Sequence, residues 1–136
     1  MILHDNFDLS FSRLKTSVLY LVKKQFKNKK IPLNDIAASF QQAVVDVLVN
    51  KTLLAANKLN VKSVLLAGGV AANVMLREEL GKKVKKELPN VKYYYPTLDL
   101  CTDNALMIAM AGYYHFLQKD FADWKKLDAD PNWELV

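Results

Sequence analysis

The sequence predicts an α/β fold with a short parallel sheet flanked by helices. Two observations predict it: four segments repeat apolar residues at helical spacing, and two short apolar or aromatic runs lie between the later helices. Strands that alternate with helices are typical of parallel sheets, because each helix returns the chain to the start of the next strand. Residues 1–136 are predicted to form a single domain with a C-terminal tail at 119–136. Two or three strands are too few for an independent parallel sheet, so the chain is predicted to be either part of a larger fold or an obligate partner of another chain.

The first half of the chain predicts two amphipathic helices. The first spans residues 12–27, with Ser12 as its N-cap, and a turn follows at 28–32. The second begins at 33–35, with Asp35 in its first turn, and ends around residues 57–60. The predicted core stripe of the second helix is Ile36, Phe40, Ala43, Val44, Val47, Leu48 and Leu54.

A strand and a glycine turn follow the second helix. The run at 63–67 is short and continuously apolar, which predicts a strand buried on both faces. It ends at Gly68 and Gly69, and a third helix is predicted over 72–88. The stripe of that helix is Leu76, Leu80, Val84 and Leu88.

The last part of the chain predicts one more strand and one more helix. Residues 91–95 form the second strand, which Pro96 stops. Thr102 or Asp103 caps a last helix that reaches about Gln118. The tail contains Trp124 and Trp133 and has no clear period.

Composition indicates a globular cytoplasmic protein with no membrane segment. Hydrophobic residues make up 51% of the chain and charged residues 24%, which is ordinary for a folded domain. No apolar run approaches the roughly 20 residues that span a bilayer, and the N-terminus lacks the pattern of a signal peptide. A single cysteine excludes an intrachain disulfide, which fits a reducing compartment. The net charge of +5 is compatible with an RNA partner, although lysines at helix ends and on polar faces fit a solvated surface as well.

Gly68, Gly69 and Asn73 are the first candidate ligand-binding residues. Two glycines between a strand and a helix let a ligand approach the backbone closely, and the amides that follow point at an anion. Asn73, one turn later, offers an amide side chain to a ribose or a phosphate. The alternative is a plain strand-to-helix turn that needs glycine for a positive φ.

Asp103 is a candidate metal ligand at the start of the last helix. Its carboxylate either caps free helix amides or binds a hard cation. A transition metal takes three or four protein ligands, but His115 lies about 18 Å along the helix at about 1.5 Å per residue, and His4 lies near the N-terminus. Asp103 is therefore predicted to be one ligand of a site that this chain does not complete.

Three other reactive or aromatic groups are interpreted as structural. Cys101 has no base at a readable spacing and is predicted to be a small buried residue. The run Tyr93–Tyr95 could stack on a base, but alternate tyrosines in a strand pack against the core. His115 is predicted to be a packed or surface residue.

Three motifs together resemble one family. They are Ser10-Phe11-Ser12-x-Leu14-Lys15-Thr16, Ala67-Gly68-Gly69-Val70-Ala71-Ala72-Asn73-x-x-Leu76-Arg77, and Cys101-Thr102-Asp103-Asn104-Ala105-x-Met107-Ile108-Ala109 after Pro96. In order and spacing they are similar to the C-terminal half of the TsaD/Gcp group of tRNA threonylcarbamoyladenosine transferases. The resemblance covers about residues 5–115.

The resemblance implies a partial actin/hexokinase-type (ASKHA) ATPase lobe, with the N-terminal lobe absent. Members transfer threonylcarbamoyl from its adenylate to N6 of the adenosine beside the anticodon of tRNA. By resemblance, Gly68, Gly69 and Asn73 contact ATP or threonylcarbamoyl-AMP, and Asp103 is a ligand of the catalytic iron or zinc. The implied partners are the missing lobe, TsaB-like and TsaE-like subunits, and tRNA.

The chain departs from the family pattern at two points. The family's HxxxH histidine pair is absent, which agrees with the ligand count at Asp103, and no residue is assigned as catalytic. Arg13 stands where the family motif has glycine, and it adds bulk and charge where a close backbone approach is expected.

Two hypotheses follow. In the first, the chain is the C-terminal lobe of the transferase and is inactive alone. In the second, it is a non-catalytic nucleotide-binding or assembly module that self-associates through the surface left by the missing lobe, forming a homo-oligomer. A metalloprotease has no support, because no HExxH or comparable ligand cluster is present.

Overall fold

A computed structural model describes residues 6–27 and 29–129 and confirms the α/β class. The chain divides into two compact units, Met1–Cys101 and Thr102–Val136. The expectations for His4 and Trp133 lie outside the described residues. The elements are α1 (Leu14–Gln25), α2 (Leu33–Lys58), β1 (Ser63–Leu65), α3 (Val74–Glu87), β2 (Lys92–Tyr94) and α4 (Ala105–Gln118), with short 3-10 helices at Gly69–Ala72, Leu98–Leu100 and Trp124–Lys126.

The sheet of the first unit is short and parallel, as predicted. β1 pairs with β2 in the register Ser63 to Lys92, Val64 to Tyr93 and Leu65 to Tyr94. Helix α3 connects the two strands, which is the crossover that a parallel pair requires. The pairing continues one residue past β1, where the Leu66 amide donates to the Tyr94 carbonyl at 2.9 Å.

The core of the first unit lies between α2, α3 and the sheet. Three of the four predicted stripe residues of α3 are buried, and the fourth, Leu88, packs against them. The predicted stripe of α2 is correct only in part: Phe40 is exposed, while Val45 and Lys51 are buried. The main cluster is Val45, Val49, Leu53, Ala56, Val64, Leu76, Leu80 and Val84.

The prediction that β1 is buried on both faces is wrong. Val64 points into the core, but Ser63 is exposed and Leu65 keeps 72% of its surface accessible. A strand of a parallel sheet is covered on both faces only when helices lie on both sides. Among the described residues of the first unit, the face that carries Leu65 has no such cover.

The start of α1 also differs from the prediction. Ser12 does not cap the helix; Arg13 occupies the N-cap position, and its side chain makes no capping hydrogen bond. Its φ of −98° and ψ of −5° are accessible to any residue. An exposed arginine therefore fits at this position without backbone strain, although the family motif has glycine there.

The second unit consists mainly of α4. The helix ends at Gln118 as predicted, and Lys119 follows in the left-handed conformation with a φ of 57°. His115 is exposed, as predicted for a surface histidine, and its Nδ1 lies 2.7 Å from Oδ2 of Asp120. No helix in the described ranges is both long and apolar enough to cross a membrane.

Candidate functional site

The turn after β1 requires glycine at one position and leaves room at the next. Gly68 has a φ of 82° and a ψ of 177°, a conformation that side chains strongly disfavour. Gly69 does not have a positive φ, and a Cβ added there would meet no atom within 4 Å. The structural interpretation accounts for Gly68, whereas nothing within the described fold requires the second glycine. Open space beside an exposed backbone is what a close ligand approach needs.

The backbone amides of the turn are the groups that can receive an anion. The Ala71 amide donates to the Gly68 carbonyl at 2.9 Å, and the Asn73 amide donates to the Val70 carbonyl at 3.0 Å. The first amides of a helical turn, here those of Gly69 and Val70, have no carbonyl partner one turn earlier. The turn leads directly into the 14-residue helix α3. Its N-terminal dipole adds a partial positive charge at the same end.

Asn73 joins the turn to α3 and has a structural role of its own. It is the N-cap, and its Oδ1 accepts a hydrogen bond from the Leu76 amide at 3.0 Å. The side-chain oxygen is thereby occupied, while the NH₂ group of the same amide can still donate. Asn73 is therefore equipped both to cap the helix and to bind an acceptor on a ligand.

An apolar pocket of about 310 Å³ lies beside this turn. The sequence did not predict it, because its wall combines residues from four separate elements: α1, α2, the 3-10 helix Gly69–Ala72 and α3. Helical spacing on α1 and α2 signalled an apolar face but not what that face encloses. The lining residues are Val18, Leu33, Ile36, Ala37, Phe40, Gln41, Val44, Val45, Val70, Asn73 and Leu76.

Arg77 is a second feature that the sequence patterns did not predict. Its Nε donates to the carbonyl of Ala71, and its terminal NH₂ donates to Sγ of Cys101 at 2.9 Å. The guanidinium carbon lies 4.9 Å from the centre of the Tyr95 ring. Cys101 is 2% exposed, which confirms the prediction of a small buried residue.

Asp103 belongs to the second unit, and the prediction that Thr102 or Asp103 caps the last helix is wrong. Asn104 is the cap: its Oδ1 accepts from the Met107 amide at 3.0 Å, and its Nδ2 donates to the Thr102 carbonyl at 2.8 Å. The Asp103 carboxylate is exposed and makes no hydrogen bond or ion pair with another described residue. The capping role that competed with metal binding is thus filled by a neighbour.

The metal donor set is incomplete in this part of the chain. Among residues 6–27 and 29–129, no group of three or more His, Cys, Asp or Glu side chains could hold a metal ion. One carboxylate does not satisfy the three or four ligands that iron or zinc takes from a protein. Asp103 stays a predicted single ligand, and the described residues do not fit a metal centre by themselves.

The prediction that alternate tyrosines of the run pack against the core is confirmed for Tyr93 but not for Tyr95, which follows the end of β2. Tyr93 is half-buried against the core, whereas Tyr94 and Tyr95 are exposed. The Tyr93 hydroxyl is buried and has no hydrogen-bond partner among the described residues. Burial, and to a lesser degree the neighbouring Tyr95, raises the pKa of Tyr93, while the Arg77 charge opposes that rise.

Comparison with known proteins identifies the family. The sequence model of TsaD, the tRNA N6-adenosine threonylcarbamoyltransferase, matches residues 2–110. The chain belongs to the TsaD family. The family resemblance drawn from the three motifs is therefore confirmed, and with it the ASKHA-type fold.

Several curated relatives carry the same description, tRNA N6-adenosine threonylcarbamoyltransferase. The protein of Thermosipho africanus is 49% identical over 130 residues, which are 96% of this chain and 38% of the relative. That of Desulfitobacterium hafniense is 47% identical over 130 residues, 95% of this chain and 37% of the relative. That of Listeria welshimeri is 53% identical over 114 residues, 83% of this chain and 33% of the relative. This TsaD-family chain thus spans less than two fifths of its relatives' length.

Proposed function

We propose that the chain acts as the C-terminal part of a tRNA threonylcarbamoyladenosine transferase. In that reaction threonylcarbamoyl moves from its adenylate to N6 of the adenosine beside the anticodon, and AMP is released. The observation that carries the proposal is the family match over residues 2–110, which includes the turn at Gly68–Gly69 and the cap at Asn73. As a tRNA-modifying protein it would work in the cytoplasm.

The turn would bind the phosphate of ATP or threonylcarbamoyl-AMP. The Gly69 and Val70 amides would donate to phosphate oxygens, and the Asn73 NH₂ group would donate to the nucleotide beside them. Negative charge grows on the phosphate as AMP leaves, so preorganised amides at that position would stabilise the departing group. The apolar pocket beside Asn73 has a volume that suits a purine ring.

A pair of substitutions at Asn73 tests this role. Aspartate caps helices as well as asparagine does, but it lacks the NH₂ donor and repels phosphate. We expect Asn73→Asp to keep the stability of the wild-type chain and to lose AMP and ATP binding. Asn73→Ala should lose binding and also about 1 kcal/mol of stability. Isothermal titration with AMP measures binding, and thermal unfolding measures stability. Undiminished AMP affinity in Asn73→Asp would overturn the proposed contact between Asn73 and the nucleotide.

Transfer itself would require more than this chain. An N-terminal lobe, outside residues 1–136, would supply the other metal ligands, with Asp103 as one ligand of an iron or zinc ion that would polarise the substrate. TsaB-like and TsaE-like subunits and tRNA would complete the system. We expect the chain alone to show no turnover with threonylcarbamoyl-AMP and tRNA, and activity to appear when the N-terminal part of a relative is added. Clear turnover without that second polypeptide would contradict the fragment hypothesis.

A non-catalytic assembly module is the second candidate, and the exposed apolar surface favours it. Leu65, Val70 and Val74 lie exposed near the open sheet and the glycine turn. Such residues would be covered in a self-associated form. Light scattering across a range of concentrations separates the two: a strictly monomeric chain at high concentration would count against the module.

A further inference from the structure

Arg77 contacts the turn that precedes α3 and two positions that follow β2. Its side chain bonds the Ala71 carbonyl in the 3-10 turn, bonds Sγ of Cys101, and lies over the Tyr95 ring at the end of β2. The planar guanidinium offers five N–H donors in a fixed fork, so one side chain can satisfy acceptors in different directions. A lysine at this position would provide the charge without that fork.

One of the two bonded segments is the turn on which the proposed phosphate site depends. Ala71 lies within the turn that follows Gly68 and Gly69, and it is fully buried. Cys101 closes the segment that leads into Thr102 and Asp103, and its thiol also donates to the Thr97 carbonyl at 3.3 Å. The Arg77–Cys101 bond thus fixes the turn against the segment 97–101.

We propose that Arg77 is a positioning residue for nucleotide binding, acting through the Ala71 carbonyl and the buried Cys101 thiol rather than by touching the nucleotide. This inference rests on the proposed function, since it assumes that the turn receives a phosphate. The fixed Ala71 carbonyl sets the orientation of the turn, and with it the direction of the Gly69 and Val70 amides. Loss of the Arg77 bonds would let those amides rotate away from a bound phosphate.

Substitutions at Cys101 distinguish a positioning role of the Arg77–Cys101 bond from direct contact with the nucleotide. The thiol is almost fully buried, so it can affect a nucleotide only through its partners. Cys101→Ser keeps one acceptor for Arg77 and one donor for Thr97, whereas Cys101→Ala removes both. We expect Arg77→Lys and Cys101→Ala each to weaken AMP affinity about tenfold, with Cys101→Ser restoring most of that loss. The double variant should be little worse than either single variant, because both break the same link.

The experiment is isothermal titration of the 136-residue chain and its variants with AMP, well below the unfolding temperature. Leu80→Ala is the control for general destabilisation, because Leu80 lies in the core and does not take part in the Arg77 hydrogen bonds. The folded fraction of this variant should bind AMP as the wild type does. Unchanged AMP affinity in both Arg77→Lys and Cys101→Ala, while the wild type binds, would overturn the positioning role and leave the proposed function intact.

Hydrogen exchange provides a readout that needs no ligand. Arg77→Lys and Cys101→Ala should speed amide exchange in residues 69–72 and 98–101 more than in the rest of the chain. Leu80→Ala, which lowers global stability, should show no such local increase in these two segments. If the wild type binds no AMP but exchange rises in both segments, the proposed nucleotide binding at the turn is wrong. The Arg77 hydrogen bonds then have a structural role only. Exchange that rises equally throughout the chain would refute the link.

Discussion

At the residue scale, a substitution at Gly69 distinguishes a structural role of the turn from a ligand-binding role, because stability and AMP affinity should respond differently. An added Cβ meets no atom within 4 Å, and the φ of Gly69 is not positive. Gly69→Ala should therefore leave the free energy of unfolding unchanged or raise it by about 0.4–1 kcal/mol, because alanine restricts the unfolded chain. The same methyl group would occupy the space that an approaching phosphate needs. We expect AMP affinity to fall while thermal stability holds.

Gly68→Ala is the matched comparison for that variant. With a φ of 82°, alanine at Gly68 is strained and should cost about 1–3 kcal/mol of stability. Thermal unfolding of both variants measures the backbone strain at position 68, and AMP titration measures whether a methyl group at position 69 blocks the ligand. A Gly69→Ala chain that binds AMP as well as the wild type would mean that no ligand approaches the turn on that side.

The buried hydroxyl of Tyr93 predicts a pH effect on stability. Burial raises the pKa of Tyr93, so the folded state holds the phenolic proton more tightly than the unfolded chain does. This contribution to stability is fully present below about pH 10 and is lost as the pH rises through the raised pKa. Tyr93→Phe should make the alkaline decline in the free energy of unfolding less steep.

At neutral pH the same variant should be harmless. The hydroxyl has no partner among the described residues, so its removal should change stability by less than about 1 kcal/mol, in the stabilising direction. Tyr94→Phe, at a tyrosine that is 50% exposed, is the control. Urea titrations between pH 7 and 11 measure both, and an equal alkaline decline in wild type and Tyr93→Phe would refute the assignment.

At the scale of the elements, periodicity predicted the positions of the helices well, but the buried face of α2 and the burial of the sheet less well. The α3 stripe was correct because a 3.6-residue repeat fixes which side chains share a face. The exposure of Leu65 was missed because burial of a strand depends on its neighbours, which the strand's own residues do not encode. The cap of α4 was assigned one or two residues early because Thr102, Asp103 and Asn104 are all good caps. Only the backbone position decides among them.

A prediction at this scale compares two leucines on different helices. Leu80 on α3 is 2% exposed in the core, whereas Leu106 on α4 is 54% exposed. Leu80→Ala should lower the free energy of unfolding by about 2–5 kcal/mol, because it removes buried methyl groups and leaves a cavity. Leu106→Ala should change it by less than about 0.5 kcal/mol. Chemical denaturation measures both, and similar losses would show that α4 is packed against an apolar surface in solution.

At the scale of the whole molecule, the candidate site could be predicted from sequence only as a set of separate pieces. Gly68, Gly69 and Asn73 were selected as candidates because their order matches a family motif and their types suit an anion. The apolar pocket and the Arg77 link were not, since both depend on residues far apart in the chain meeting in space. Asp103 was predicted as a single ligand, and the chain spans 38% of its Thermosipho africanus relative.

The charge distribution of the chain predicts how it should bind tRNA under the proposed function. Residues 9–34 contain no Asp or Glu, and their basic residues are Arg13, Lys15, Lys23, Lys24, Lys27, Lys29 and Lys30. Lys23 and Lys24 are exposed in the last turn of α1 and form no ion pair with a described residue. When such lysines neutralise phosphates, the counterions bound to the RNA are released, so tRNA affinity should fall steeply as the salt concentration rises.

A matched pair of double variants tests whether this segment contacts the RNA. Lys23→Gln with Lys24→Gln should reduce the slope of log K against log salt concentration by up to about 1.4–1.8, at about 0.7–0.9 per lost phosphate contact. Lys82→Gln with Lys83→Gln removes the same charge from α3. There Lys82 lies 3.1 Å from Glu79 and Lys83 lies 3.3 Å from Glu87. Because these two lysines already have carboxylate partners, the slope of the second variant should match that of the wild type. Filter binding of tRNA across a salt series measures all three, and equal slopes in both double variants would place the RNA contact elsewhere on the molecule.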